Sequence, residues 1–141
     1  MTKDQNFLKW HYPDDVINKA KQIELLAFDV DGVLTDGGLY YDHEGNELKK
    51  FFAQDGHGIK IVQSIGIEIM IISGRQAACV DHRAQELGIR YVVQGSRDKL
   101  KSFYDQNIYI YLENVCFVGD DTVAVSYKHI RAHQTCLDLV C

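Results

Sequence analysis

The sequence predicts an α/β fold, a three-layer sandwich in which a parallel central sheet lies between two layers of helices. Short apolar runs alternate with stretches of helical spacing, and most of those runs end in polar residues and glycine. At 141 residues the chain has the size of one ordinary domain, long enough for one sizeable core and not two. Strands alternating with helices at this spacing imply βαβ units with right-handed crossovers and a sheet covered on both faces.

The elements follow in order. Residues 14–22 come after the single proline, Pro13, and open with Asp14 and Asp15, which suit the positive end of a helix. Residues 23–30 (IELLAFDV) are an apolar run ending in acidic residues and Gly32, as a buried parallel strand does when it delivers side chains to a loop. Residues 38–41 and 47–52 flank the polar turn Asp42-His43-Glu44-Gly45-Asn46 and predict a small β-hairpin insertion. In residues 58–65 the spacing of Ile59, Val62 and Ile65 predicts a helix, punctuated by Gly66. Residues 67–72 (IEIMII) predict the second sheet strand, 76–87 a helix stopped by Gly88, and 90–93 the third strand. A last helix is predicted over 98–107 and a fourth strand over 115–118, running into Gly119-Asp120-Asp121. The whole is a Rossmann-like arrangement.

Composition removes several function classes. Hydrophobic residues at 46% and charged residues at 25% are those of a folding globular chain, not of a disordered or low-complexity one. A net charge of -5 offers no positive field to a phosphate backbone, so no nucleic acid partner is expected. No apolar run reaches a bilayer span and residues 1–12 lack the apolar stretch of a signal peptide, so a cytoplasmic location without membrane contact is expected. Cys79, Cys116, Cys136 and Cys141 show no CxxC pair and no zinc spacing, and are expected as free thiols.

In an open parallel sheet the ligand site lies beyond the C-terminal strand ends. Those ends deliver Asp29 and Asp31, then Ser73, Gly74 and Arg75, then Gln94 and Gly95, then Asp120 and Asp121. Two carboxylates at alternate positions, joined by Asp120 or Asp121, gather like charge that a cation must neutralise. Mg²⁺ fits, since it accepts a few carboxylates and keeps waters and substrate phosphate as its other ligands. One carboxylate held against the metal can attack phosphorus, and the second can protonate the departing alkoxide and then activate water. Ser73 can donate to a phosphoryl oxygen and Lys99 can offset the charge spread over those oxygens. Each residue also has a plainer reading: solvated loop acids for Asp29 and Asp31, a turn for 73–75, a helix-surface lysine for Lys99. His57 lies between glycines beside the site, as a substrate contact or incidentally. Arg75 and Arg83 are suited either to a sugar-acid carboxylate or to nearby acids.

Asp29 to Asp36 (DVDGVLTD), Ser73-Gly74-Arg75, Lys99 and Gly119-Asp120-Asp121 resemble, in order, the four motifs of the haloacid dehalogenase superfamily of phosphotransferases. Within it, Asp36-Gly37, Tyr40, Asp55-Gly56-His57-Gly58-Ile59 and Arg83 with Leu87-Gly88-Ile89 resemble the 3-deoxy-D-manno-octulosonate 8-phosphate phosphatase family, over roughly residues 16–121. The resemblance implies Asp29 as nucleophile and Asp31 as general acid/base. It implies Mg²⁺ held by Asp29, the main-chain carbonyl of Asp31 and Asp120, with Ser73 and Lys99 on the transferring phosphoryl group. It further implies no large cap domain, a homotetramer in which hairpins meet and a neighbour helps close each site, and a small-molecule sugar phosphate substrate in lipopolysaccharide biosynthesis.

The resemblance stops near residue 121. Ala124 stands where family members carry a further aspartate that orients the metal site. Residues 122–141 match nothing in the family and have the look of translated sequencing-adapter read-through. The expectation is a truncated phosphatase domain over 1–121 with a non-native tail over 122–141, against the alternative of a divergent helix with Val123, Tyr127 and Ile130 on one face. The competing function is a non-catalytic tetramerisation module of the kind fused to nucleotide-sugar (acylneuraminate) synthetases; intact Asp29, Asp31, Ser73, Lys99 and Asp120 favour the enzyme.

Overall fold

Phe28, Ile71 and Val118 lie level with one another on three adjacent parallel strands, so the residues that follow each of them emerge along one sheet edge. The computed structural model in which this register is seen describes residues 12–119. Its elements are α1 (Asp14–Ala20), β1 (Leu25–Phe28), β2 (Tyr40–Tyr41), β3 (Glu47–Leu48), α2 (Ala53–Ser64), β4 (Glu68–Ile72), α3 (Ala78–Leu87), β5 (Tyr91–Val93), α4 (Lys99–Asp105) and β6 (Val115–Val118), the last preceded by a 3-10 turn, Leu112–Asn114. The parallel sheet has the order β5-β4-β1-β6. β2 and β3 form the hairpin inserted after β1, extended by one isolated bridge between Thr35 and Phe51.

The strands read as unbroken apolar runs because both sheet faces are covered. Ile69 and Ile71 of β4 join a core with Val30, Leu34, Ile59 of α2, and Val80, Ala84 and Leu87 of α3. Met70 and Ile72 point the other way, with Leu25 and Ala27 of β1, toward Phe103 of α4 and Val115. This is the predicted three-layer arrangement. A side chain of this size fully buried contributes about 1.5–3 kcal/mol.

Two expectations are corrected. The helix predicted from residue 58 begins at Ala53, so Gly56 and His57 are helical rather than in a loop. Glycine is a poor helix former, which hid the first turns, but at Gly56 it leaves room for the ends of two side chains of α3. A Cβ there would run into Arg83 Nη2 and stand 3.2 Å from Leu87 Cδ2 on α3. The cysteines are not all free: Cys79 is a free thiol, whereas Cys116 is disulfide-bonded. Spacing along the chain says nothing of which thiols the fold brings together. Cys136 and Cys141 lie outside the described residues, as do Asp120, Asp121, Ala124 and the tail expectation for 122–141.

Candidate active site

Asp29 is the first residue past β1, and its amide donates to the Val118 carbonyl at 2.9 Å, continuing the ladder by one step. Its Oδ1 accepts from the Val30 amide at 2.7 Å. Its Oδ2 accepts from Lys99 Nζ at 2.5 Å, with the two side chains only 7% and 3% exposed. Lys99 is thus a buried partner of the nucleophile candidate and not a surface lysine. It opens α4, whose cap is Asp98, the carboxylate of which accepts from the Lys101 amide at 2.9 Å. The Lys99 ammonium also stands 5.2 Å from the centre of the Phe117 ring.

The loop after Asp29 is wound tightly. Leu34 donates its amide to the Val30 carbonyl at 2.9 Å, and Gly32 takes φ +77°, which a side chain would strain. The buried Thr35 hydroxyl donates to the Val30 carbonyl at 3.2 Å and accepts from the amides of Gly32 and Gly37 at 3.3 and 3.2 Å. Asp36, at the end of the motif, is exposed; the Tyr40 hydroxyl, 2.7 Å away, and the Gly38 amide hold its carboxyl below the usual range.

Asp31 is served from the hairpin. Lys49 Nζ lies 2.5 Å from Asp31 Oδ1 and 2.6 Å from Glu47 Oε1, with the lysine side chain 1% exposed. Arg75, just past β4, donates from Nη2 to Glu47 Oε2 at 3.0 Å, and its Nε stands 3.9 Å from Asp31 Oδ2. Burial works to lower the Lys49 pKa, but hydrogen bonds to Asp31 and Glu47 outweigh it and leave it raised. Glu47 is pulled below the usual carboxylate range by Lys49 and then Arg75. Arg75 is raised by Glu47 first. Ser73, 1% exposed, has its amide on the Val93 carbonyl at 2.9 Å, and its Oγ accepts from the Arg75 amide at 3.2 Å.

The structure therefore brings Asp29, Asp31, Ser73, Gly74, Arg75 and Lys99 to one sheet edge. His57 is exposed on α2 and makes no hydrogen bond or ion pair among the described residues. Arg83 is engaged elsewhere, with Glu86 Oε2 at 3.2 Å and the Phe52 carbonyl at 3.4 Å, above the Phe51 ring. Lys49 and Glu47 were missed. Their signal was the alternation Glu47, Lys49, Phe51 on the inward side of the hairpin arm, against exposed Leu48, Lys50 and Phe52.

Among the described residues no three His, Cys, Asp or Glu side chains form a group able to hold a metal ion. Asp29 and Asp31 still supply an all-oxygen pair two residues apart at the strand end, the donor chemistry of a hard cation. In this structure a lysine neutralises each of them.

No family model matches the chain. It is similar to the 3-deoxy-D-manno-octulosonate 8-phosphate phosphatase KdsC of Escherichia coli strain K12, at 47% identity over 111 residues, covering 77% of this chain and 59% of that protein. It is similar to the solved structure of the 3-deoxy-D-manno-octulosonate 8-phosphate phosphatase of Moraxella catarrhalis, in complex with a magnesium ion, a phosphate ion and a KDO molecule. The identity is 39% and the TM-score 0.79, covering 86% of this chain and 71% of that one. A HAD superfamily (subfamily III A) hydrolase from Legionella pneumophila matches at 34% identity and TM-score 0.79, covering 93% and 71%.

Proposed function

The chain belongs to the 3-deoxy-D-manno-octulosonate 8-phosphate phosphatase family of the haloacid dehalogenase superfamily, and on that premise we propose that it hydrolyses the phosphomonoester of a sugar acid. The observation that carries the reading is the buried Asp29–Lys99 pair at the sheet edge, with Asp31, Ser73 and Arg75 around it. A buried carboxylate is expensive to desolvate, and one placed past the end of a parallel strand is where a fold puts chemistry rather than stability.

In the proposed reaction Asp29 attacks phosphorus, forming an aspartyl-phosphate as the P–O bond to the leaving group breaks and Asp31 gives its proton to that oxygen. Water then attacks the aspartyl-phosphate, its proton passing to Asp31, and Asp29 is released with inorganic phosphate. Ser73 and Lys99 hold the phosphoryl oxygens, Gly74 lets main chain approach them, and Arg75 receives the acid end of the sugar, with His57 and Arg83 as the farther substrate contacts. Mg²⁺, the ion of the Moraxella complex, would be held by Asp29, the main-chain carbonyl of Asp31 and Asp120, and it would supply the positive charge that lets one anion approach another.

The substrate proposed is 3-deoxy-D-manno-octulosonate 8-phosphate, in lipopolysaccharide biosynthesis in the cytoplasm; among the described residues no helix is long and apolar enough to cross a membrane. Leu39, Tyr40, Tyr41, Leu48 and Phe52 are exposed on and beside the hairpin, which supports association of copies, as a homotetramer. We place the phosphatase domain at 1–121 and treat 122–141 as foreign to it. The test is phosphate release from sugar-acid phosphates with and without Mg²⁺. Turnover that requires the ion and is lost by at least ~10³-fold in a folded Asp29→Asn variant is expected. Undiminished turnover in that variant overturns the reading.

A further inference from the structure

Lys49 is the most completely buried charge on the hairpin, and nothing in hairpin pairing requires it. It lies one residue past Leu48, the last paired residue of β3, and its ammonium reaches back to Asp31 Oδ1 at 2.5 Å. Sealing a lysine from water loses both hydration and rotamer freedom, so the site must fix its geometry well. Its second partner, Glu47, is itself fixed from another element, by Arg75 Nη2 at 3.0 Å. The four groups make a closed ring of alternating charge: Asp31, Lys49, Glu47, Arg75. Within it the two oxygens of Asp31 are treated differently. Oδ1 accepts a hydrogen bond from Lys49, whereas Oδ2 faces Arg75 Nε at 3.9 Å, beyond hydrogen-bonding distance.

We propose that Lys49 is a positioning residue for Asp31: by tying down Oδ1 it holds the carboxyl group so that Oδ2 exchanges the proton with the substrate. The inference rests on the phosphatase reading above. In the first half of the reaction the proton moves from Asp31 to the bridging oxygen as the P–O bond breaks and the Asp29–phosphorus bond forms. In the second it returns from water to Asp31 as the water oxygen bonds to phosphorus and Asp29 leaves. Lys49 keeps all its protons throughout. The same ring makes the hairpin part of the active site, since displacing β3 displaces the group that aims the acid.

A leaving group that needs no proton separates aiming from structure. Leaving-group release is followed in a single turnover of the full chain with Mg²⁺, using a sugar phosphate, whose alkoxide must be protonated, and p-nitrophenyl phosphate, whose phenolate need not be. Lys49→Met is expected to slow the sugar ester by about 10²-fold and the nitrophenyl ester by less than about threefold, with KM little changed for either. Lys49→Arg should restore most of the loss, and Lys49→Met added to Asp31→Asn should cost nothing further. Because Lys49→Met leaves Glu47 with Arg75 as its one remaining cation in the ring, Lys49→Met/Glu47→Gln carries the same expectation with the ring's charge balance restored. Equal slowing of both esters, or a further loss on top of Asp31→Asn, overturns the proposal. If Asp29→Asn retains the wild-type rate, the phosphatase reading itself falls and takes this one with it, a result that no Lys49 variant enters.

Discussion

Asp29 and Asp31 are two residues apart, each carries a lysine at 2.5 Å, and they are held in opposite ways. Asp29 and Lys99 are built into the sheet and α4, both nearly sealed from water. Asp31 is held by Lys49 from a hairpin whose paired arms are two residues each, and its side chain is 27% exposed. The difference matches the two kinds of work proposed for them. A nucleophile gains from a fixed position and exclusion of water, while an acid/base must reach both a substrate oxygen and a water molecule. One motif of eight residues thus has one foot in the scaffold and one in an insertion.

The comparison can be broken most sharply at the scaffold end. Lys99→Met leaves a buried carboxylate without its cation and should cost about 3–5 kcal/mol, read as a lower denaturant midpoint at unchanged m-value. A loss below ~1 kcal/mol means that Asp29 is not held as a buried charge. Next comes the hairpin end, where Glu47→Gln should cost about 1–3 kcal/mol. Its pH signature sharpens the contrast. Glu47 titrates below its usual range, so its contribution is present above the ordinary value of 4.5 and lost as pH falls through the lowered folded one. Lys49 titrates above 10.5, so its contribution persists below that and goes as pH rises through the raised folded value. Wild type should therefore be flat at neutral pH and weaken at both extremes, with Glu47→Gln losing part of the acid limb; an unchanged acid limb refutes the ring. The smallest effect is expected at Leu48→Ser on the exposed side of the arm. Stability of the single chain should move by less than ~0.5 kcal/mol, while the mass measured by light scattering falls. A Leu48→Ser chain that associates as wild type does shows that the apolar side of the hairpin is not the contact.

The strands were legible because burial on both faces leaves only apolar residues, and the site edge was legible because each strand stops at a polar residue. Asp29 and Ser73 followed from that edge, and Lys99 from the resemblance to the family's motifs. What escaped needs the third dimension. Gly56 reads as a helix breaker until Arg83 and Leu87 are seen against it. Lys49 and Glu47 were passed over, because a period-two alternation along the hairpin arm does not by itself say which side faces inward. Cys116 gives no sign along the chain of being bonded.

The level register of Phe28, Ile71 and Val118 has a consequence for how errors in this sheet would be noticed. β4 supplies Ile69 and Ile71 to one core and Met70 and Ile72 to the other, so a slip of one residue exchanges one greasy set for another of nearly the same size. Hydrophobic burial alone is a weak proofreader of such a slip. The discriminating information sits at the strand ends. A one-residue shift would carry Ser73 ~3.3 Å along the edge and break the hydrogen bond that its amide donates to the Val93 carbonyl. The residues proposed to do the chemistry are thereby also the ones that spell out the correct alignment, and a misaligned sheet would announce itself at the site before it did in the core.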